Sequence, residues 1–235
     1  MLYSLLLFFL LFVNILYCIL ASKSNVAIFN HGQKYPKYIL TLGMFFLKIS
    51  IAWVLYFALH SLLAADGVKE YCRTQFPVLF PHYRVVYNLI AIFGLMPLVW
   101  FSLQDTTYVF SPDTWMRIPA ILLMSAGVIM LLVAFASFNV KEFLGLEKPE
   151  YAPDAKLVTS GVYRYVRHPL YTAMLLLFPG VLLYRPTWSV LLLTVLAIIY
   201  IEIGSRLEEK KLIQVFGEDY IRYQQQVKRY FPFIY

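Results

Sequence analysis

The stretch from Leu157 to Tyr171 (Leu-Val-Thr-Ser-Gly-Val-Tyr-Arg-Tyr-Val-Arg-His-Pro-Leu-Tyr) gathers side chains able to do chemistry between two long apolar segments. A second polar cluster, Arg206-Leu207-Glu208-Glu209, follows the last apolar run. Proline is favoured in the first turn of a helix, where its missing N–H costs nothing. His168 is therefore expected at the start of a helix that begins with Pro169. The unbonded N–H groups there, with the helix dipole, attract an anion. Arg167 adds a fixed charge with a fork suited to a carboxylate. Gly161 permits a tight turn or a close approach to a ligand. Tyr163, Tyr165 and Tyr171 offer aromatic faces that can hold a cation. Glu208 and Glu209, expected at the start of a helix after the last apolar run, could bind an ammonium or a ribose diol. Neighbours on a helix point about 100° apart, so only one of the two is expected to face the site.

Together these residues supply an anion receptor, a cation receptor and aromatic walls. A zwitterionic amino-acid head beside a sulfonium and a nucleoside fits them, and S-adenosylmethionine has that constitution. A phospholipid headgroup carries both charges as well. Basic and aromatic residues also serve as plain anchors at a membrane interface.

The elements that must position these clusters are membrane helices. The chain is 61% hydrophobic and 14% charged, against roughly 25% charged in soluble domains. Its apolar residues come in runs over 3–20, 39–64, 85–103, 116–138, 169–184 and 188–203. Most are long enough to cross a bilayer as helices, and no period-2 alternation suggests a β-barrel. The expectation is one all-α transmembrane domain over 1–235, an integral membrane bundle of about six transmembrane helices. Residues 1–138 would form a four-helix scaffold. Residues 139–235 would carry the site, a helical hairpin and a C-terminal helical region in the cytoplasm. Run 3–20 differs from a signal peptide. No basic residue precedes it, and Ile19 stands where a cleavage site needs a small residue. Gly217 should split the tail into two helices. Tyr220, Tyr223 and Val227 then share a face, expected to pack at the membrane interface.

The net charge of +7 is spread over loops in the pattern of membrane topology and gives no nucleic-acid signal. With six spans, one face receives fourteen Lys and Arg residues and the other five. The richer face is expected in the cytoplasm, with both termini and both polar clusters. Cys18 and Cys72 offer no metal spacing. Lys48 and His60 lie within the second run, where ionisable groups face the protein or snorkel.

At the polar clusters the sequence resembles a known family. Gly161-x-Tyr163-x-x-x-Arg167-His168-Pro169-x-Tyr171 is followed by Glu208-Glu209-x-x-Leu212, Phe216-Gly217-x-x-Tyr220, Tyr223, Val227-x-Arg229 and Pro232. This pattern resembles the isoprenylcysteine carboxyl methyltransferase-like superfamily of integral membrane methyltransferases. Upstream, His60-Ser61-Leu62-x-Ala64, Lys69, Glu142 and Gly145-Leu146 are similar to its methanethiol S-methyltransferase, NnrU and nurim-like branch. The resemblance implies an enzyme using S-adenosylmethionine, with a pocket lined by Tyr163, Arg167, His168, Tyr171, Glu208 and Glu209. Gly161 and Pro169 would shape that pocket, and no metal is implied. The acceptor would reach it from the bilayer or its interface: a small thiol, a prenylcysteine-like group or a lipid. For a thiol acceptor, Arg167, His60 or Arg206 could favour the thiolate by placing positive charge nearby. A bacterial inner membrane is the expected location, or the endoplasmic reticulum or nuclear envelope in a eukaryote. The same scaffold hosts nicotinamide-dependent sterol reductases and non-catalytic nurim-like proteins, which are the alternative readings.

Overall fold

In a bilayer every backbone polar group must find its partner within the protein, and long apolar runs satisfy this as helices. The computed structural model describes residues 35–137 and 157–232, with the side chains of the first helix described from residue 43. The expected run 3–20, Cys18, Glu142 and Gly145-Leu146 lie outside the described residues. Seven α-helices and no strands are found among them. These are α1 (Tyr35–Ala64), α2 (Asp66–Gln75), α3 (Tyr83–Leu103), α4 (Arg117–Phe135), α5 (Pro169–Tyr184), α6 (Trp188–Phe216) and α7 (Glu218–Gln226).

By length and composition, four helical stretches can cross a membrane: Gly43–Ala64, Phe80–Leu103, Thr114–Phe135 and Trp188–Phe216. The helix Pro169–Tyr184 is apolar but shorter. Large apolar side chains such as Phe93, Trp100, Ile118 and Leu122 stand exposed on the outer faces, where lipid replaces water as solvent. Lys48, mid-run in the sequence, is exposed on α1. The amphipathic stretch 66–84 forms α2 and a 3₁₀ turn at Phe80–His82.

Helices α4 and α5 make the closest pairing. Gly127 on α4 lies against Leu177 and the Ala173 carbonyl, and Gly180 on α5 lies against Met124 and the Ala120 carbonyl. A Cβ built on Gly127 would fall 2.6 Å from Leu177 Cγ and 2.9 Å from the Ala173 oxygen. Small residues permit this backbone approach in a membrane, where no hydrophobic force drives helices together. Pro179 is accommodated inside α5 without ending it.

One end of the bundle is tied by Asp105, which is 5% exposed. Its carboxylate accepts from the Ser189 amide at 2.8 Å and from the Thr107 amide at 2.9 Å. Arg185, in the turn between α5 and α6, donates to the Leu103 carbonyl at 2.7 Å. Thr187 caps α6 by accepting from the Val190 amide. At the other end, Lys211 on α6 pairs with Asp66 at the start of α2.

The sixth apolar run differs from expectation in its extent. Glu208 and Glu209 do not open a new helix after it. They lie within α6, a single helix of 29 residues. No proline interrupts 188–216, so the helix continues out of its apolar section until Gly217, at φ +55°, ends it. That backbone conformation suits glycine. Gly217 divides α6 from α7 as the sequence suggests.

Candidate functional site

A cavity of about 230 Å³ opens where the first turn of α5, the polar end of α6 and α7 converge. Gly161, at φ +63°, turns the chain into a 3₁₀ helix over Gly161–Arg164. The chain then runs extended through Val166, and Pro169 occupies the first turn of α5. The tail crosses beneath. Val166 and Lys228 form a parallel bridge, the Arg167 amide donates to the Lys228 carbonyl at 2.9 Å, and the His168 amide donates to the Arg229 carbonyl at 3.1 Å. Thr172 adds a bond to the Tyr230 carbonyl at 2.7 Å. The tail is thus a strap that fixes the approach to α5.

Behind the cavity wall lies a buried ionic network centred on Glu209, which is 4% exposed. Arg167 reaches its Oε1 through Nη2 at 2.8 Å and Nε at 2.9 Å. His168 Nε2 donates to the same oxygen at 3.1 Å. Arg229 reaches Oε2 at 2.8 Å. Arg167 Nη1 also donates to the Gln224 carbonyl at 3.1 Å and to the Val227 carbonyl, which closes the C-terminal turn of α7. Three cationic or donor groups around one carboxylate offset the desolvation that burial imposes on it. Arg167 and His168 therefore spend most of their bonding on the protein itself.

Glu208, one residue earlier and a third of a turn round the helix, faces the cavity. Tyr171 donates to its Oε2 at 3.1 Å. Among the described lining residues it is the one carboxylate. Rings of Tyr163, Tyr220 and Tyr223 line the same space, and Leu157, Val158, Leu212 and Phe216 supply apolar wall. Burial, with the Glu208 carboxylate nearby, pushes the Tyr163 phenol well above its ordinary value. Burial pushes Tyr223 up to about 12. Both phenols are neutral at physiological pH. Tyr223 donates to the Tyr163 carbonyl at 2.6 Å, which fastens α7 to the 3₁₀ turn.

Of the residues singled out in the sequence, Tyr163, Arg167, His168, Pro169, Tyr171 and Glu208 line this cavity. Glu209 lies behind it and Gly161 shapes the turn before it. Tyr165 is 65% exposed. Two of the three residues assigned to thiolate activation are placed elsewhere. Arg206 points outward and pairs with Glu202 at 2.6 Å. His60 is buried between α1 and α3, with Tyr87 Oη 2.7 Å from its Nε2 and the Tyr56 ring stacked on it. A hydrogen-bonded packing role accounts for these contacts of His60. Tyr220 and Tyr223 were expected at the membrane interface and instead turn inward to the cavity. Their spacing announces a shared face without saying what the face meets.

Comparisons with known proteins show what the chain as a whole is similar to. The family model described as Phospholipid methyltransferase matches residues 115–219. A methanethiol S-methyltransferase of Crocosphaera subtropica is 30% identical over 80% of this chain and 75% of its own length. That of Pseudomonas deceptionensis is 29% identical over 79% of this chain and 72% of its own. A protein-S-isoprenylcysteine O-methyltransferase of Xenopus laevis is 29% identical over 57% of this chain and 47% of its own. No solved structure matches the chain significantly. The curated relatives are methyltransferases, which favours that reading over the reductase and non-catalytic ones. With its bundle of apolar helices, the chain belongs to the isoprenylcysteine carboxyl methyltransferase-like superfamily of integral membrane methyltransferases.

Proposed function

We propose that this membrane methyltransferase takes S-adenosylmethionine as its donor and a small thiol as its acceptor, at the cytoplasmic end of the bundle. The observation that carries the donor is Glu208, a carboxylate on the cavity wall among tyrosine rings, with a neutral Tyr171 hydroxyl as its protein partner. A carboxylate and aromatic faces in a mostly apolar cavity select a cation. The donor's charges and its nucleoside fit such a wall. When bound, S-adenosylmethionine supplies an electrophilic methyl group to an in-line nucleophile.

The chain's own residues then have three tasks. Glu208 and the tyrosine rings orient the cationic end. The Arg167–Glu209–Arg229 network holds the first turn of α5, the polar end of α6 and the tail strap in one arrangement. The apolar walls keep water from the reacting atoms, and fixed alignment of the reactants can contribute roughly 7–11 kcal/mol to the rate. A thiolate needs no general base once formed, so the absence of His60 and Arg206 from the cavity leaves this chemistry intact.

The small-thiol acceptor rests on the methanethiol S-methyltransferase activity for which the relatives matched over most of their length are named. The cytoplasmic placement rests on the excess of Lys and Arg in 65–84, 139–168 and 206–235. The pairing of Lys211 with Asp66 brings two of these segments to one end. The test is methyl transfer from radiolabelled S-adenosylmethionine in membranes expressing the protein, offered methanethiol, a farnesylated cysteine or a phosphatidylethanolamine. Label in dimethyl sulfide above that in vector membranes is expected. Label in the prenyl or lipid product alone would overturn the acceptor assignment.

A further inference from the structure

The connection between α1 and α3 carries the most exposed large apolar side chain among the described residues. Val78 is 84% exposed, with Leu79 at 65% and Phe76 at 53%. They share one turn, Phe76-Pro77-Val78-Leu79, between α2 and the 3₁₀ turn at Phe80–His82. The turn is held from within. The Phe76 amide donates to the Cys72 carbonyl at 2.9 Å, and those of Leu79 and Phe80 donate to the Phe76 carbonyl at 3.1 and 2.9 Å. The His82 amide donates to the Leu79 carbonyl at 2.9 Å. Pro77 and Pro81 have no amide to donate. Most donors of the segment 76–82 therefore need no water, which is the condition that an apolar medium sets on a backbone.

The position of the turn in the chain defines what meets it. Helix α1 ends at Ala64, and the next stretch able to cross a membrane begins at Phe80. Val78 is two residues from Phe80, so it lies within about 7 Å of the start of that span. Covalent continuity thus keeps the turn at the bilayer boundary. The charges of α2 are paired along the helix, Lys69 with Asp66 at 3.4 Å and Arg73 with Glu70 at 2.8 Å. Tyr71, also exposed, adds a ring of the kind enriched at membrane–water interfaces. A charged helix followed at once by an apolar turn has the make-up of an interfacial segment, whose apolar part sinks about 5–10 Å into the boundary between headgroups and acyl chains. In water the same turn would expose its apolar surface at a cost.

We propose that the turn Phe76–Leu79 is a lipid-binding wedge, inserted among the upper acyl chains of one leaflet, with α2 beside it in the headgroup layer. The wedge is tied to the cavity-bearing end of the bundle. Asp66, at the start of α2, pairs with Lys211 on α6, one residue before Leu212 of the cavity wall. Nothing in this role depends on which donor or acceptor the cavity takes.

The experiment uses the full chain carrying Cys18→Ser and Cys72→Ser, reconstituted in phosphatidylcholine nanodiscs. Val78→Cys is compared with Glu218→Cys, whose position at the start of α7 is exposed. Leu79→Cys repeats the measurement at a second exposed position, where substitution removes no packing. Each thiol is offered a water-soluble maleimide before and after unfolding in dodecyl sulfate. In a parallel sample it carries an environment-sensitive fluorophore, challenged with aqueous iodide or with lipid spin-labelled near the top of its acyl chain. We expect Val78→Cys and Leu79→Cys to resist the maleimide until unfolded while Glu218→Cys reacts at once. Their fluorophores should be quenched by the labelled lipid and spared by iodide. The maleimide arm uses a thiol no larger than the side chain it replaces, so an apolar dye drawing the turn into lipid cannot produce that result. Reaction at the rate of Glu218→Cys, or quenching by iodide, would place the turn in water and overturn the inference. Protection from maleimide without quenching by either probe would overturn it as well, because another segment of the chain or a second copy would then cover the turn.

Discussion

Two adjacent glutamates on α6 do different work because of where a helix points them. Glu209 is enclosed by Arg167, His168 and Arg229, and Glu208 meets the cavity. Removing one partner of a buried ion pair leaves an uncompensated charge, which costs about 3–5 kcal/mol. Glu209→Gln and Arg167→Met should therefore lower the melting temperature of the ligand-free protein sharply. Glu208→Gln keeps an acceptor for Tyr171 and should leave it nearly unchanged. Differential scanning fluorimetry in detergent checks this contrast, and equal destabilisation of all three would contradict the division of roles. The division itself was legible, since adjacent helical residues cannot share a direction. That Arg167 serves the protein before any ligand was not legible, because its partners lie some 40 to 60 residues away. The tyrosines add a pH dependence. Burial raises Tyr163, Tyr220 and Tyr223 above their ordinary value, so above pH ~10 the unfolded chain loses protons that the folded chain retains. Their contribution is complete below that pH and declines as pH rises toward about 12. Thermal melts should be insensitive to these groups from pH 7 to 9 and fall beyond 10, with a gentler fall in Tyr223→Phe.

At the scale of elements, the cavity depends on how closely α5 can be brought to α4. Gly127 leaves no room for a Cβ against the Ala173 carbonyl. Gly127→Ala must push α5 outward, at an overpacking cost of about 1–3 kcal/mol. The first turn of α5 forms part of the cavity, so donor affinity should fall with stability in this variant although residue 127 touches no ligand. An unshifted melting temperature and unchanged affinity would show that the pairing has slack. The sequence marked most helices through their apolar runs, and Pro169 and Gly217 through the conformations they favour. It misplaced the end of α6 because the charged residues after Ile203 resemble a helix leaving its apolar environment. Only the lack of a breaker before Gly217 signals that the helix continues into the polar region. The inward face of α7 was likewise hidden. Tyr220 and Tyr223 lie one turn apart, and hydrophobic periodicity cannot distinguish a lipid surface from a cavity wall.

At the scale of the whole molecule, the described helices are held at both ends by polar contacts: Asp105 with Ser189 and Thr107 at one, and the tail strap over 227–230 at the other. The strap makes the site a composite of segments far apart in the chain, so no short fragment should bind donor. Truncation before Val227 removes Arg229 from Glu209 and the backbone partners of Arg167 and His168, and should abolish binding while α1–α4 persist. The cavity beside Glu208 is proposed to receive the cationic methyl donor. Calorimetric titration of the purified protein with S-adenosylmethionine, beside Glu208→Gln, tests it most directly. Saturable binding to the wild type is expected, with at least about tenfold weaker binding to the variant, a difference of roughly 1.4 kcal/mol, and both proteins equally folded. Equal affinity in the two proteins, or no binding by a folded wild type, would contradict it.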